Sequence, residues 1–386
     1  MKVFKRIIKG FLITVAILLV LLYVLDYDYI IKGVRVVYMT GHTTAFIDDY
    51  PHFDNRTIKT AETINEIPQH QYYNSILPSE RLDSTHAALG TTSFLILKND
   101  SVWHEYYAPG YDSLSRTNSF SMAKSIVTAL LGKAIMDGHI KSLEQPVGDF
   151  FTEFSEGTAA QMTVGDLSSM ASGLDWTEHY TSPFSITAKA YYDTDIREVM
   201  LDLDVIKTPG EAFEYLSGNT QLLGMVIEKA TGKNLSSYLS ESFWKPMGMS
   251  QDGLWQLDSE DSGMEKAYCC IASTARDFAK FGLLFQNGGN YGGQQLLPEA
   301  FTDKAIQPRF ADSAMYGYGF WLSNHLDKKI FVMRGILGQY VISIPEENIT
   351  IVRLGHQRSE FKDGKSFTRD FYIYLEEALN MLIDVT

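Results

Sequence analysis

A serine followed three residues later by a lysine can form a nucleophile and its base when both lie at a helix start, because residues three apart share one face. That spacing occurs twice, as Ser121-Met122-Ala123-Lys124 and as Ser242-Phe243-Trp244-Lys245. Lys245 precedes Pro246, which disfavours helical backbone, so the second pair is expected at a fraying helix end and is set aside. Ser121 opens a run, Ile126, Val127, Leu130, Leu131, Ala134 and Ile135, that predicts a buried helix over 121–137, ended by Gly138. Burial and the positive end of that helix both disfavour an ammonium. The Lys124 pKa is therefore expected to fall until a neutral amine can take the Ser121 proton. The free N–H groups of the first turn can hold an oxyanion. Lys133, half a turn from the Ser121 face, reads as solvated.

Other common chemistries find no footing. His104-Glu105 lacks the second histidine of a zinc-protease helix, since Ala108 stands where it is needed. No Gly-x-Ser-x-Gly elbow occurs, and Gly288-Gly289-Asn290-Tyr291-Gly292-Gly293 has neither the spacing nor the preceding strand of a dinucleotide loop. The only cysteines, Cys269 and Cys270, are adjacent, which suits neither an ordinary disulfide nor a zinc site. No cofactor and no metal are expected, and the fold is expected to stand without either kind of staple. Arg276-Asp277 and His356 are read as structural.

These residues need elements to hold them. Two β-prone runs between Thr91 and Tyr107 flank Asn99-Asp100 and predict a hairpin. Residues from about 140 to 310 hold helical segments broken by Gly and Pro, among them 219–230 and 272–286. After Tyr316 short β runs follow at 318–322, 330–333, 339–344 and 349–354, with a last helix over 367–383. The fold class is therefore α+β: one antiparallel sheet built from both ends of the chain, flanked by helices, with a mostly helical subdomain inserted.

The chain has 386 residues, 45% hydrophobic and 21% charged, with a formal net charge of -14. Its only basic cluster is Lys2, Lys5, Arg6 and Lys9, so nucleic acid is not an expected partner. That cluster precedes an apolar run from Phe11 to Leu25. Counted from Ile7 it gives about 19 residues, roughly 28 Å of helix, enough to cross a bilayer. Asp26-Tyr27-Asp28-Tyr29 lacks the small residues a signal peptidase needs, which favours an uncleaved anchor. Positive charge on the N-terminal side places the body outside the cytoplasm, as a single-pass membrane protein. Residues 1–30 are read as the anchor, and 31–84 as a stalk or an irregular extension packed onto the body. The body itself is 85–386.

The stretch Ser119-Phe-Ser-Met-Ala-Lys-Ser125 resembles the nucleophile motif of β-lactamase-related serine hydrolases. The likeness continues through Met170-Ala-Ser-Gly-Leu-Asp-Trp176, the stretch from Pro209 to Gly224, Lys245-Pro-Met-Gly-Met249, the stretch from Ala275 to Gly282, and Gly335-Ile-Leu-Gly-Gln-Tyr340. It covers roughly residue 85 to the end. Within the superfamily it is nearest the 6-aminohexanoate-dimer hydrolase and esterase branch, which shares the fold of penicillin-binding proteins and class C β-lactamases. The resemblance implies that Tyr215 relays protons between nucleophile, lysine and leaving group. Chemically, a phenol beside a buried amine can have a lowered pKa and act as general acid or base. It further implies an oxyanion hole made by the backbone N–H groups of Ser121 and Ile336. Trp176, His179 and Tyr180 fall in a region that faces the cleft in similar enzymes, so Trp176 and Tyr180 are expected to bind substrate.

Two departures stand out. Arg334-Gly335-Ile336 replaces the Lys or His, Thr, Gly element of penicillin-recognising relatives, and Tyr215-Leu216-Ser217 replaces Tyr-x-Asn. Arg334 can still bind an anion in its own way. The expected activity is cleavage of an ester or amide of a small molecule through a Ser121 acyl-enzyme. A penicillin-binding-type cell-wall peptidase or β-lactamase is a rival that Arg334 disfavours. A non-catalytic membrane-anchored binding protein is another, disfavoured by the intact Ser121, Lys124 and Tyr215 set. The sequence sets no oligomeric state.

Overall fold

The structure, a computed structural model, describes residues 2–361 and 364–383. The first stretch carries helices α1 (Lys2–Val24), α2 (Tyr29–Val36) and α3 (Glu80–Leu89), and strands β1 (Asn55–Ile58), β2 (Thr91–Lys98), β3 (Ser101–Tyr107) and β4 (Thr117–Asn118). The middle carries α4 (Ala123–Met136), α5 (Val164–Ser168), α6 (Ile186–Tyr192), α7 (Ile196–Leu201), α8 (Ser217–Thr231), α9 (Leu235–Leu239), β5 (Gly253–Gln256), β6 (Ile271–Ser273) and α10 (Ala275–Gln286). The last stretch carries β7 (Asn290–Tyr291), β8 (Gln294–Gln295), α11 (Glu299–Ala305), β9 (Trp321–Ser323), β10 (Ile330–Gly335), β11 (Gln339–Ile344), β12 (Ile349–Gly355) and α12 (Arg369–Ile383).

Asn99 and Asp100 both take positive φ, 50° and 58°, the geometry of a two-residue turn that matches strand twist, and so close the β2–β3 hairpin. β2 then pairs with β12 from the far end of the chain, Ile96 opposite Ile351. The result is a six-stranded antiparallel sheet of order β3-β2-β12-β11-β10-β9. Its strands read as nearly unbroken apolar runs because both faces are covered. Phe94 and Ile96 face α3 and α12, while Leu95 and Leu97 face the larger core that contains α4, α8 and α10.

The middle is mostly helical, as expected, but contributes two strands that its sequence did not announce. β5 and β6 are only four and three residues long, and they join β1 and β4 in a small sheet of order β1-β5-β6-β4. Residues 31–84 lie along the body: β1 pairs with β5, and α3 packs on α12. The buried carboxylate of Asp49 accepts from Asn118 at 2.8 Å and from the Tyr191 hydroxyl at 2.6 Å, tying this segment to the middle of the chain.

The expectation that the cysteines stay unbridged is corrected. Cys269 and Cys270 form a disulfide between sequence neighbours. In an extended chain their side chains would point to opposite faces, but Cys270 turns to φ 76° and brings them together in the core. α1 buries none of its residues against the body. Among the described residues it is the one helix long and apolar enough to cross a membrane.

Candidate active site

α4 is buried on nearly every side, as its mostly apolar sequence allows, with Lys124, Ser125 and Thr128 buried among the apolar residues. It begins at Ala123, two residues later than the sequence pattern suggested. Ser121 lies in the 3-10 turn Phe120–Met122 that leads into it. Phe120 is held at φ 45°, a costly conformation for a bulky residue, by its N–H bond to Asn118 Oδ1 at 2.8 Å. Ser119 locks this turn to β6: its N–H donates to Ile271 O at 2.8 Å, and its Oγ accepts from Ile271 N–H at 3.1 Å. The turn presents Ser121 above the first residues of α4.

Lys124 is 2% exposed. Its Nζ lies 3.0 Å from Ser121 Oγ, 3.1 Å from Ser217 Oγ and 2.9 Å from the Tyr268 carbonyl. Burial lowers its pKa to about 8, with the Glu178 carboxylate pulling the other way. A neutral amine at this position keeps a lone pair free to accept from the Ser121 hydroxyl. The serine that replaces the usual asparagine, Ser217, thus takes a direct contact with the lysine. Lys133, read as solvated, instead pairs with Asp137.

Tyr215 faces the same amine, with Lys124 Nζ 5.2 Å from its ring centre. Its pKa departs from expectation. Burial and then the Glu178 charge push the phenol above its ordinary value, outweighing the lowering by Ser121 and Arg334. Tyr215 is therefore a neutral phenol, able to donate a proton. Arg334 lies on β10 in an aromatic box, its guanidinium 4.5 Å from the Trp321 ring centre and 5.2 and 5.5 Å from those of Phe361 and Phe367. Nη1 donates to Ser366 O at 2.9 Å, and among the described residues no carboxylate forms an ion pair with it. Trp321 also meets the Tyr215 ring at 5.1 Å, so it joins Arg334 to the site. Ile336 follows β10 directly. Gly335 brings that strand end against the turn so closely that a Cβ there would overlap the Ser119 carbonyl oxygen.

Trp176 is a core residue packed on Gly218, whereas Tyr180 is half exposed. His179 is exposed. The residue between Trp176 and Tyr180 that reaches the site is Glu178, which sequence reasoning passed over. Its carboxylate accepts from the Ser217 N–H, from Trp176 Nε1 at 3.0 Å and from the Tyr180 hydroxyl. The alternation Trp176, Glu178, Tyr180 in an extended stretch was the available signal, since such positions share a side. Trp321 and Tyr268 were also passed over. Of the second Ser-x-x-Lys pair, Ser242 is buried in a π-turn and Lys245 is exposed. Arg276 pairs with Glu105 at 2.7 Å, Asp277 accepts from Ser250, and His356 follows β12.

The protein-family model described as Beta-lactamase matches residues 80–371. The 6-aminohexanoate-dimer hydrolase of Paenarthrobacter ureafaciens is 25% identical over 287 residues, covering 68% of this chain and 72% of that protein. Protein flp of Staphylococcus aureus (strain NCTC 8325 / PS 47) is 27% identical over 180 residues, 43% of this chain and 35% of its own. Among solved structures, a candidate 6-aminohexanoate-dimer hydrolase from Bacillus anthracis superposes with TM-score 0.72 at 21% identity, covering 92% of this chain and 93% of that one. The D-amino acid amidase from Ochrobactrum anthropi SV3 has TM-score 0.59 at 17% identity, with 79% and 97% covered. With the family match extending over most of its length and the same fold in hydrolases of this kind, the chain belongs to the beta-lactamase family.

Proposed function

We propose that this protein is a membrane-anchored serine hydrolase that cleaves an ester or amide through an acyl-enzyme, with its body on the extracytoplasmic side. The observation that carries the reading is the buried Lys124 amine, 3.0 Å from Ser121 Oγ and with a pKa lowered to about 8. Lys124 takes the proton as Ser121 Oγ bonds to the substrate carbonyl carbon. The resulting oxyanion is held by the N–H groups of Ser121 and Ile336. Tyr215, a neutral phenol, donates to the departing alkoxide or amine and recovers a proton from the Lys124 ammonium. Water then attacks the acyl carbon and releases Ser121. Half-exposed Tyr180 lines the approach, and buried Trp176 acts only by holding Glu178 in place, so it is corrected from a substrate contact to a positioning residue. Arg334 offers its guanidinium edge to an anionic group on the substrate. No cofactor enters these steps.

Treating the detergent-solubilised full chain with a serine-directed phosphonate and weighing it intact tests the reading. Wild type should gain one adduct and turn over a short nitrophenyl ester. Ser121→Ala should gain none, lose at least about 10³-fold in turnover and keep its fold. Ester turnover at the wild-type rate by Ser121→Ala would remove Ser121 from the chemistry.

A further inference from the structure

The loop that reaches the candidate active site is the same loop that touches the end of the apolar helix. Glu178, in contact with the Ser217 N–H beside Lys124, begins it. Six residues on, Phe184 meets the ring of Tyr27 edge to face, with centroids 5.4 Å apart. Around that contact the Tyr29 hydroxyl donates to Pro183 O at 3.0 Å, and Asp26 forms an ion pair with Lys189. α2 then packs on α6, with Gly33 against the Tyr192 ring.

Only three residue-to-residue steps separate Val24, the last of α1, from Tyr27. At about 3.5 Å each they span at most ~10 Å, comparable to the ~5–8 Å headgroup layer on one side of a bilayer. The body is therefore seated on the end of the helix, without a spacer. Phe184 is 64% exposed and Leu25 59% exposed, apolar surface that water disfavours and the membrane interface accepts. Between helix end and loop lies a cleft of about 410 Å³ whose wall mixes apolar residues such as Leu25, Ile186 and Leu203 with the charged Asp26, Lys189 and Asp202.

We propose that the active-site loop rests on the phospholipid surface and that the substrate is a membrane-resident amphiphile, an ester or amide of a long-chain acid. This rests on the anchored-hydrolase reading above. The acyl chain stays among the lipids while the carbonyl rises past Phe184 to Ser121. Hydrolysis puts water's oxygen on the acyl carbon, breaks the carbon bond to the alcohol or amine, and returns one proton to that leaving group.

The test uses the full chain in phosphatidylcholine vesicles. Cys269 and Cys270 are bonded to each other and buried, so Phe184→Cys supplies a single site for a bimane label. The label should be quenched by lipids carrying a nitroxide near the headgroup, and quenching by aqueous iodide alone would overturn the proposal. In parallel, wild type and Phe184→Asp are given a dodecanoyl nitrophenyl ester dissolved in the vesicles and nitrophenyl acetate in water. Phe184→Asp should lose about tenfold on the embedded ester and stay within twofold on the acetate. Equal effects on both, with acetate still cleaved, would sink the membrane substrate while sparing the hydrolase. Failure of wild type on both esters, with no phosphonate adduct, would sink the hydrolase and this proposal with it, whatever the label reports.

Discussion

Lys124 sits where two opposing effects meet: burial lowers its pKa and the Glu178 carboxylate raises it. Because the proposed mechanism needs the neutral amine, turnover should climb with pH through about 8 and level off above it. Glu178→Gln removes the raising influence, so the midpoint of that climb should move to lower pH. A pH profile of kcat/KM for both proteins checks the direction, and an upward move would contradict the assignment. The Ser121–Lys124 contact was legible because three-residue spacing at a helix start brings two side chains together. For Glu178 the alternation with Trp176 and Tyr180 marked a shared side but not its destination, since its contact with Ser217 joins positions 39 residues apart. For Tyr215 the expected lowering of the phenol pKa had the wrong sign. The amine beside it was visible in sequence, whereas the burial and the neighbouring carboxylate that outweigh it were not.

At the scale of elements, the site depends on how closely the end of β10 approaches the Ser119–Phe120 turn. Gly335 has an ordinary φ of -116°, so it is required for space and not for backbone freedom. Gly335→Ala should push Ile336 away from Ser121 and lower kcat by about 10- to 100-fold with little change in KM, because small misplacements of this kind are costly. A kcat unchanged from wild type would show that the strand end does not set the oxyanion geometry. The long strands could be read from sequence because burial on both faces writes them as apolar runs. β5 and β6 are too short for any period, and the small sheet they complete depends on β1 and β4, far away in the chain. Likewise the disulfide depends on a left-handed turn at Cys270 that composition does not reveal.

For the molecule as a whole, α1 buries nothing against the body, so the fold should not need it. A chain lacking residues 2–24 should leave the membrane fraction and keep its melting temperature within about 2 °C, as expected where under ~1 kcal/mol is lost. A large drop would mean that the helix packs on the body. The central sheet sets a different demand on synthesis. β2 finds its second neighbour only in β12, whose residues 349–355 are made some 250 positions later. If α1 enters the bilayer first, as the proposed anchoring requires, nearly the whole polypeptide is threaded across while β2 keeps an open, sticky edge. On the proposed topology, export is a race between delivery of the last strands and aggregation of the first, and a holding chaperone on the far side would act during that interval.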